Sequence, residues 1–208
     1  EVLPIFIFDD AILSQLQKDD ARVTFIHQQL EKLQLELQKI GKSLAVFHGK
    51  PLDVYRKLIS ENNITCVYTN RDYEPYARKR DLELFHLFKE RAIEFKTSKD
   101  QVIFEKNDVL KDDGTPYVVY TPYSNKWKEN LKKIQLVNYN SEDFLDKIAS
   151  HSYPFLSLSD IGFTTSSIKV TPYDISTHLI DNYEATRNFP ALNKTSYLGI
   201  YLRFGVVS

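Results

Sequence analysis

The residues best suited to catalysis or metal binding are few in this sequence, and they are scattered along it. Cys66 lies in an apolar stretch, which favours a small buried residue, and a single cysteine excludes a disulfide framework and a multi-cysteine zinc site. The five histidines are far apart, at His27, His48, His86, His151 and His178. A histidine within an amphipathic helix is more often a core-edge residue than a ligand. The sequence therefore predicts no metal site and no catalytic residue in this chain.

Neither the glycines nor the charges indicate a phosphate or nucleic-acid site. The six glycines are isolated, and none belongs to a glycine-rich loop that could surround a phosphate. The net charge of −1 gives no overall attraction to DNA or to an anionic membrane, so nucleic-acid contact would need a local patch. The basic run at residues 78–80 alternates with carboxylates, which is typical of a solvated helix face.

Hydrophobic spacing in the first hundred residues predicts strands that alternate with helices. Residues 2–8 form a continuous apolar run, typical of a strand buried on both faces of a parallel sheet. A helix is expected from Val23 to Ile40, with acidic residues near its start and Gly41 just beyond its end. Further strands are predicted at residues 44–48, 64–68, 93–96 and 102–104, and further helices at 51–62 and 74–92. This order predicts a doubly wound, Rossmann-like α/β domain with a parallel sheet over about residues 1–105.

The second half of the chain has weaker periodicity. Asp113 and Gly114 form a strong turn signal, so a small hairpin is expected around them. Residues 150–174 are rich in Ser, Thr and Pro without a helical period, which indicates a connector, and a helical pattern returns from about Ile175. No apolar run is long enough to span a bilayer, and the cysteine content favours a cytoplasmic location with no membrane partner.

Three segments carry motifs in a fixed order. Residues 73–81 read Y-E-P-Y-A-R-K-R-D, residues 114–123 read G-T-P-Y-V-V-Y-T-P-Y with Trp127 soon after, and residues 183–208 contain Tyr183, R-N-F-P, T-S-Y-L and L-R-F-G. Together these segments resemble the DNA photolyase and cryptochrome family. The resemblance covers nearly the whole chain, and it implies an α/β antenna domain at residues 1–130, a connector at 131–174 and the start of an all-helical FAD-binding domain at 175–208. It also implies that Trp127 packs as an apolar anchor.

The same resemblance implies roles for individual residues near the C-terminus. Those that would contact FAD are Tyr183, Thr195, Ser196, Tyr197, Leu198 and Gly199, whose hydroxyl and backbone N–H groups at a helix start suit phosphates. An ordinary helix N-cap is the alternative for Thr195 and Ser196. Arg187 matches the arginine that holds a phosphate of damaged DNA, with a surface salt bridge as its alternative.

Some positions depart from the family pattern. Tyr197 replaces a basic residue, and Gly199 replaces a serine. Tyr76 and Ala77 stand where folate-binding members have an Asn-Glu pair, so a folate antenna is not expected at that position. The resemblance leaves a deazaflavin, a flavin or no antenna chromophore as the alternatives.

Both ends of the chain read as cut, so the sequence is expected to be part of a longer protein and inactive alone. The family's first strand should precede Glu1, which predicts an exposed sheet edge beside residues 2–8 and self-association through it. The leading functional hypothesis is a deoxyribodipyrimidine photolyase, in which light-excited reduced FAD passes an electron to a pyrimidine dimer flipped out of DNA. The alternatives are a cryptochrome-like light receptor, which binds FAD without repairing DNA, and a nucleotide-binding α/β module unrelated to light.

Overall fold

The computed structural model describes residues 1–135, 137 and 139–207. Strands and helices alternate in the first half, and short helices separated by irregular chain make up the second. The strands are β1 (Ile5–Asp9), β2 (Ala45–Gly49), β3 (Cys66–Asn70) and β4 (Glu94–Ser98). The helices are α1 (Asp10–Leu13), α2 (Ala21–Lys39), α3 (Pro51–Glu61), α4 (Pro75–Glu90), α5 (Tyr120–Leu131), α6 (Thr177–Thr186) and α7 (Leu198–Arg203), with a 3-10 helix at Ser141–Lys147.

The helices of the first half begin and end where their capping residues lie. The Asp20 carboxylate accepts a hydrogen bond from Arg22 N at the start of α2, and Gly41 has the left-handed backbone (φ 71°) that favours glycine after a helix end. Pro51 and Pro75 occupy the first turns of α3 and α4, where a missing N–H costs no helical hydrogen bond. The predicted helices at 23–40, 51–62 and 74–92 are thus confirmed to within a few residues.

The chain divides into two compact units, of which the first comprises residues 1–48 and 147–208. Its core contains Phe8, Val23, Phe25, Leu37, Val46, Ile161 and Phe163. Residues 147–176 contain no strand or α-helix after the 3-10 helix ends, and they are held against α2 by specific hydrogen bonds. The imidazole Nε2 of His27 lies 2.9 Å from Leu156 O, and Thr24 Oγ1 accepts a hydrogen bond from Ser166 N at 3.0 Å. The buried face of α2 therefore binds the connector as well as the sheet residues.

The second unit comprises residues 49–146 and is built on a parallel pair of strands, β3 and β4. Their register places Val67 opposite Phe95. The buried face of this pair packs against α3 and α4 through Val67, Leu84, Leu87, Phe88 and Ile93. Trp127 of α5 contacts Phe104 edge to face at 5.4 Å, which confirms its predicted packing role.

The strands form two small sheets. Among the residues that the structure describes, β1 hydrogen bonds only with β2, and β3 only with β4. Although β1 is apolar up to Asp9, only Phe8 and Asp9 are buried, while Ile5, Phe6 and Ile7 keep partial solvent exposure. The edge expected beside residues 2–8 is partly covered, because Val2 forms a parallel bridge with Ile148, and an open edge beside β1 stays a prediction. The class is α/β, as predicted.

Several local predictions differ from the structure. Residues 102–104 are irregular, because Asp108 Oδ2 accepts a hydrogen bond from Glu105 N and closes a turn there. The predicted turn at Asp113 and Gly114 is confirmed by an antiparallel bridge between Leu110 and Pro116. The chain then enters α5 at Tyr120 without extending the hairpin. The domain limits at 130 and 174 stay a prediction, since the compact units follow spatial contacts and the first is discontinuous in sequence.

Candidate functional site

Helix α6 carries two of the predicted site residues on one face. The Ser176 hydroxyl accepts a hydrogen bond from Leu179 N and caps the start of the helix. At the other end, Arg187 N donates to Tyr183 O at 2.9 Å, so the two side chains are one helical turn apart. Both residues are exposed. The Arg187 guanidinium forms no ion pair with any carboxylate in the described part of the chain, so the surface salt bridge considered for it is absent there.

The other predicted FAD residues lie together at the start of α7. Thr195, Tyr197 and Gly199 are exposed, whereas Ser196 and Leu198 are half-buried. Ser196 Oγ accepts a hydrogen bond from Leu198 N at 3.3 Å, but the N-cap residue of α7 is Tyr197, so Ser196 lies one residue before the cap position that was its alternative. Thr195 takes no part in that cap. The first N–H groups of a helix have no intrahelical acceptor, and in α7 the first of them, Leu198 N, is bonded to Ser196 Oγ.

The two departures from the family pattern have different structural settings. Tyr197 has a left-handed backbone, with φ 53°, and its hydroxyl donates to Asn193 Oδ1 at 2.6 Å. Its ring is thus held toward the preceding loop. A Cβ added to Gly199 would meet no atom within 4 Å, so packing does not require glycine at this position and the space beside it is open.

The starts of α6 and α7 are tied together through Asp174. Its N–H donates to Ser196 O at 2.9 Å, and its carboxylate accepts a hydrogen bond from Ser176 N at 2.8 Å. Hydrogen bonds from the backbone and hydroxyl of Ser176 lower the pKa of Asp174 below its ordinary value. Tyr183 lies seven residues after Ser176, about 10 Å along the helix at 1.5 Å per residue. The predicted residues therefore form two groups, one at the joined helix starts and one at the far end of α6.

The hydroxyls, the open space and the helix start are compatible with the phosphates of a dinucleotide. Thr195 and Ser196 offer hydroxyl groups, Gly199 leaves room beside the backbone, and Tyr183 offers an exposed aromatic ring. These side chains can bind and orient a flavin nucleotide through hydrogen bonds and ring contacts.

A second group of polar residues lies where β1 and β2 end, and the sequence analysis did not identify it. His48 Nε2 lies 2.7 Å from Asp10 Oδ1, and the Asp9 carboxylate caps α1 by accepting from Ala11 N. Ligands of doubly wound sheets bind outside the carboxyl ends of the strands. The sequence did contain a signal for this group: acidic residues directly follow the first apolar run, and a histidine ends the second.

Within the second unit, the positions compared with folate-binding members offer little to a ligand. Ala77 is 3% exposed and belongs to the interior face of α4, while Tyr76 is 40% exposed. Nearby, Glu105 accepts hydrogen bonds from Tyr73 Oη and from the Arg71 guanidinium. The hydrogen bonds from both partners lower the pKa of Glu105, and the one from Tyr73 has the larger effect.

Comparison with known proteins identifies the family of this chain. A family model described as DNA photolyase matches residues 1–141 of the chain. This chain belongs to the DNA photolyase family. The antenna-domain motifs at residues 73–81 and 114–123 fall inside the matched range, whereas α6 and α7 follow it.

Curated relatives include deoxyribodipyrimidine photo-lyases and cryptochromes. A deoxyribodipyrimidine photo-lyase of Synechococcus sp. is 29% identical, with the alignment covering 100% of this chain and 46% of the relative. Cryptochrome-2 of Gallus gallus is 25% identical, over 98% of this chain and 39% of its own length. The chain thus spans about half the length, or less, of these photolyase-family relatives.

Solved structures of the family share the fold. An archaeal photolyase from Sulfolobus tokodaii, whose structure contains two FAD molecules, superposes with a TM-score of 0.69 at 22% identity, over 99% of this chain and 46% of that one. A cryptochrome from Synechocystis sp. gives a TM-score of 0.71 at 15% identity, over 99% and 47%. At these identities the likeness establishes the α/β fold. No helix in the described residues is long and apolar enough to cross a membrane.

Proposed function

We propose that this chain is the antenna half, with the first helices of the FAD-binding domain, of a deoxyribodipyrimidine photolyase. The match of the family model over residues 1–141 is the observation that carries the proposal. In the complete enzyme, light-excited reduced FAD would donate an electron to a cyclobutane pyrimidine dimer, and the dimer would split into two pyrimidines as the electron returns. A cryptochrome-like receptor is the second candidate, because Cryptochrome-2 matches nearly the whole chain at 25% identity.

The residues near α6 and α7 would act in binding rather than in chemistry. Thr195 and Ser196 would donate hydroxyl hydrogen bonds to the FAD phosphates, and the backbone at residues 197–199 would approach the same groups. The ring of Tyr183 would pack beside the nucleotide. The proposal is supported by the exposed hydroxyl of Thr195, the open space at Gly199 and the hydrogen bonds through Asp174 that hold the two helix starts together.

Arg187 would contact a phosphate of the damaged strand. Its side chain is exposed and has no carboxylate partner in the described residues, so its charge is available to a phosphate. A lone phosphate contact positions DNA without reading its sequence, as recognition of a lesion requires. The net charge of −1 means that such local cations, and those of the rest of the enzyme, must supply the attraction.

The deciding experiment uses the intact protein and a DNA oligonucleotide that carries one thymine dimer. Dimer loss is measured under blue light and in a dark control. Light-dependent loss supports the photolyase. A protein that binds and photoreduces FAD but leaves the dimer intact supports the cryptochrome candidate. Thr195→Val with Ser196→Ala should lower FAD occupancy, whereas Thr186→Val on α6 is the matched control.

We also propose that the isolated chain self-associates through the open edge of β1. This strand is apolar from Ile5 to Phe8 and hydrogen bonds with β2 alone in the described residues, and an unpaired apolar edge favours pairing with another strand. Sedimentation velocity over a range of concentrations would test this, and a concentration-independent monomer would overturn it. A cytoplasmic location stays a prediction that rests on the single free Cys66.

A further inference from the structure

A cavity of about 340 Å³ lies within the first unit, and its lining residue Tyr201 shares helix α7 with the proposed FAD residues Leu198 and Gly199. Its walls come from the first turns of α2, from residues 165–172 of the connector and from Tyr201 of α7. The volume lies at the lower end of the range for small-molecule sites, about 300–1,000 Å³. A mononucleotide-sized molecule suits this space better than a dinucleotide such as FAD.

The inner wall of the cavity is aromatic and held in place. Phe25 is 3% exposed and Tyr201 is 9% exposed, and their rings meet edge to face at 5.3 Å. Tyr201 Oη donates to Thr171 O, and Thr24 Oγ1 accepts from Ser166 N, so hydrogen bonds attach the connector to both helices. A cavity with fixed walls loses little conformational entropy when a ligand enters. The aromatic wall favours an aromatic or heterocyclic ring.

The charges around the cavity have one sign. Lys32 and Lys169 line it, and its lining contains no carboxylate. Lys32 Nζ donates to Gln29 Oε1 at 3.4 Å, and neither lysine forms an ion pair with a carboxylate of the described residues. Lys32 and Lys169 are both exposed, and their two ammonium groups, one on α2 and one on the connector, favour an anionic ligand. In a chain of net charge −1 this cationic pair is a local feature.

We propose that this cavity binds an aromatic anion of mononucleotide size. The ring would lie against the accessible edge of Tyr201 and the apolar side chains of Val170 and Pro172, with Phe25 packed behind Tyr201. The phosphate or carboxylate group would lie near Lys32 and Lys169. The amide of Gln28 and the hydroxyl groups of the cavity would bind the polar edge of the ring. The lining shares no residue with the sets proposed for FAD and DNA, and the proposal does not depend on whether the intact protein repairs DNA or signals.

The test is calorimetric titration of the intact, FAD-loaded protein with adenosine 5′-monophosphate, with adenosine and inorganic phosphate as partial probes. We expect saturable binding of the monophosphate and binding at least about tenfold weaker for either partial probe, because each lacks one of the two recognised groups. Lys32→Gln combined with Lys169→Gln should weaken binding of the monophosphate by at least about tenfold. Lys39→Gln is the matched control, since Lys39 lies on the same helix but pairs with Glu36.

A second variant tests the cavity itself. Gln28 is exposed on α2, so we expect the Gln28→Trp variant to fold normally while its indole fills the cavity. Circular dichroism would verify its helix content. Loss of binding in this variant supports the proposal. The proposal is overturned if the monophosphate gives no saturable binding, if adenosine binds equally well, or if Lys39→Gln weakens binding as much as the double lysine variant does.

Discussion

Gln34 allows a quantitative test of how α2 is attached to β2. Its side chain lies on the buried face of the helix, 9% exposed, and its Oε1 accepts a hydrogen bond of 2.7 Å from Leu44 N. Leu44 is itself 4% exposed, so water cannot easily replace the lost acceptor. The substitution Gln34→Leu keeps the approximate size of the side chain and removes that acceptor.

The expected cost follows from the unpaired N–H group. A buried donor without a partner costs about 1–3 kcal/mol, and the added methyl groups return part of this through apolar burial. We therefore expect Gln34→Leu to lower the free energy of unfolding by about 1–2 kcal/mol. For an m-value near 2 kcal/mol/M, the urea midpoint would fall by roughly 0.5–1 M.

The assay is urea unfolding followed by circular dichroism, together with amide hydrogen exchange at Leu44. Gln38→Leu is the control, because Gln38 is exposed on the same helix, and its effect should stay within about 0.5 kcal/mol. Leu44 should exchange faster in Gln34→Leu and normally in Gln38→Leu. Equal stability of the two variants would refute the assignment of this hydrogen bond as a structural contact.

Three further predictions concern single residues elsewhere in the chain. Ala92 has a left-handed backbone, φ 54°, after the end of α4, so Ala92→Gly should stabilise the protein by about 0.5–1 kcal/mol, and a lower melting temperature would contradict this. In the intact protein, Arg187→Gln should weaken DNA binding and reduce the slope of log K against log salt by about 1, whereas an unchanged slope would exclude a phosphate contact. Asp174→Ala should destabilise the chain at pH 7, where the carboxylate accepts hydrogen bonds from Ser176. Because the folded-state pKa of Asp174 is lowered, its contribution is complete above the ordinary value of 3.8 and is lost as pH falls through the lower folded value, so the urea midpoints of wild type and variant should converge as the pH falls below 3.8.

Helix limits were the part of the fold that local sequence determined best. Asp20 and Gly41 bracket α2, and Pro51 and Pro75 lie in the first turns of α3 and α4. Each of these signals acts through neighbouring backbone groups, so a few adjacent residues suffice to predict it. The family motifs were likewise readable because they are contiguous, and the family match over residues 1–141 agrees with them.

Strand pairing was less predictable, because a strand is stabilised by a neighbour that can come from anywhere in the chain. Residues 102–104 have strand-forming types but form no strand, since a turn capped by Asp108 begins at once. Conversely, β3 starts at Cys66 rather than at Ile64, because its pairing with β4 starts opposite Glu94. Sequence alone supplied the strand candidates, and the tertiary structure selected their pairs.

The candidate sites show the same division between what the sequence determined and what the tertiary structure decided. The sequence by itself determined the family, the α/β class and the residue types at 183–199, and the hydrogen bonds of Asp174 then joined the two helix starts. Only the tertiary structure placed His48 against Asp10, or Lys32 and Lys169 around one cavity. These residues are far apart in sequence and share no periodicity, so no local pattern relates them. The pairing of β1 with β2 brings His48 to Asp10, and the connector brings Lys169 to Lys32 by folding back onto α2.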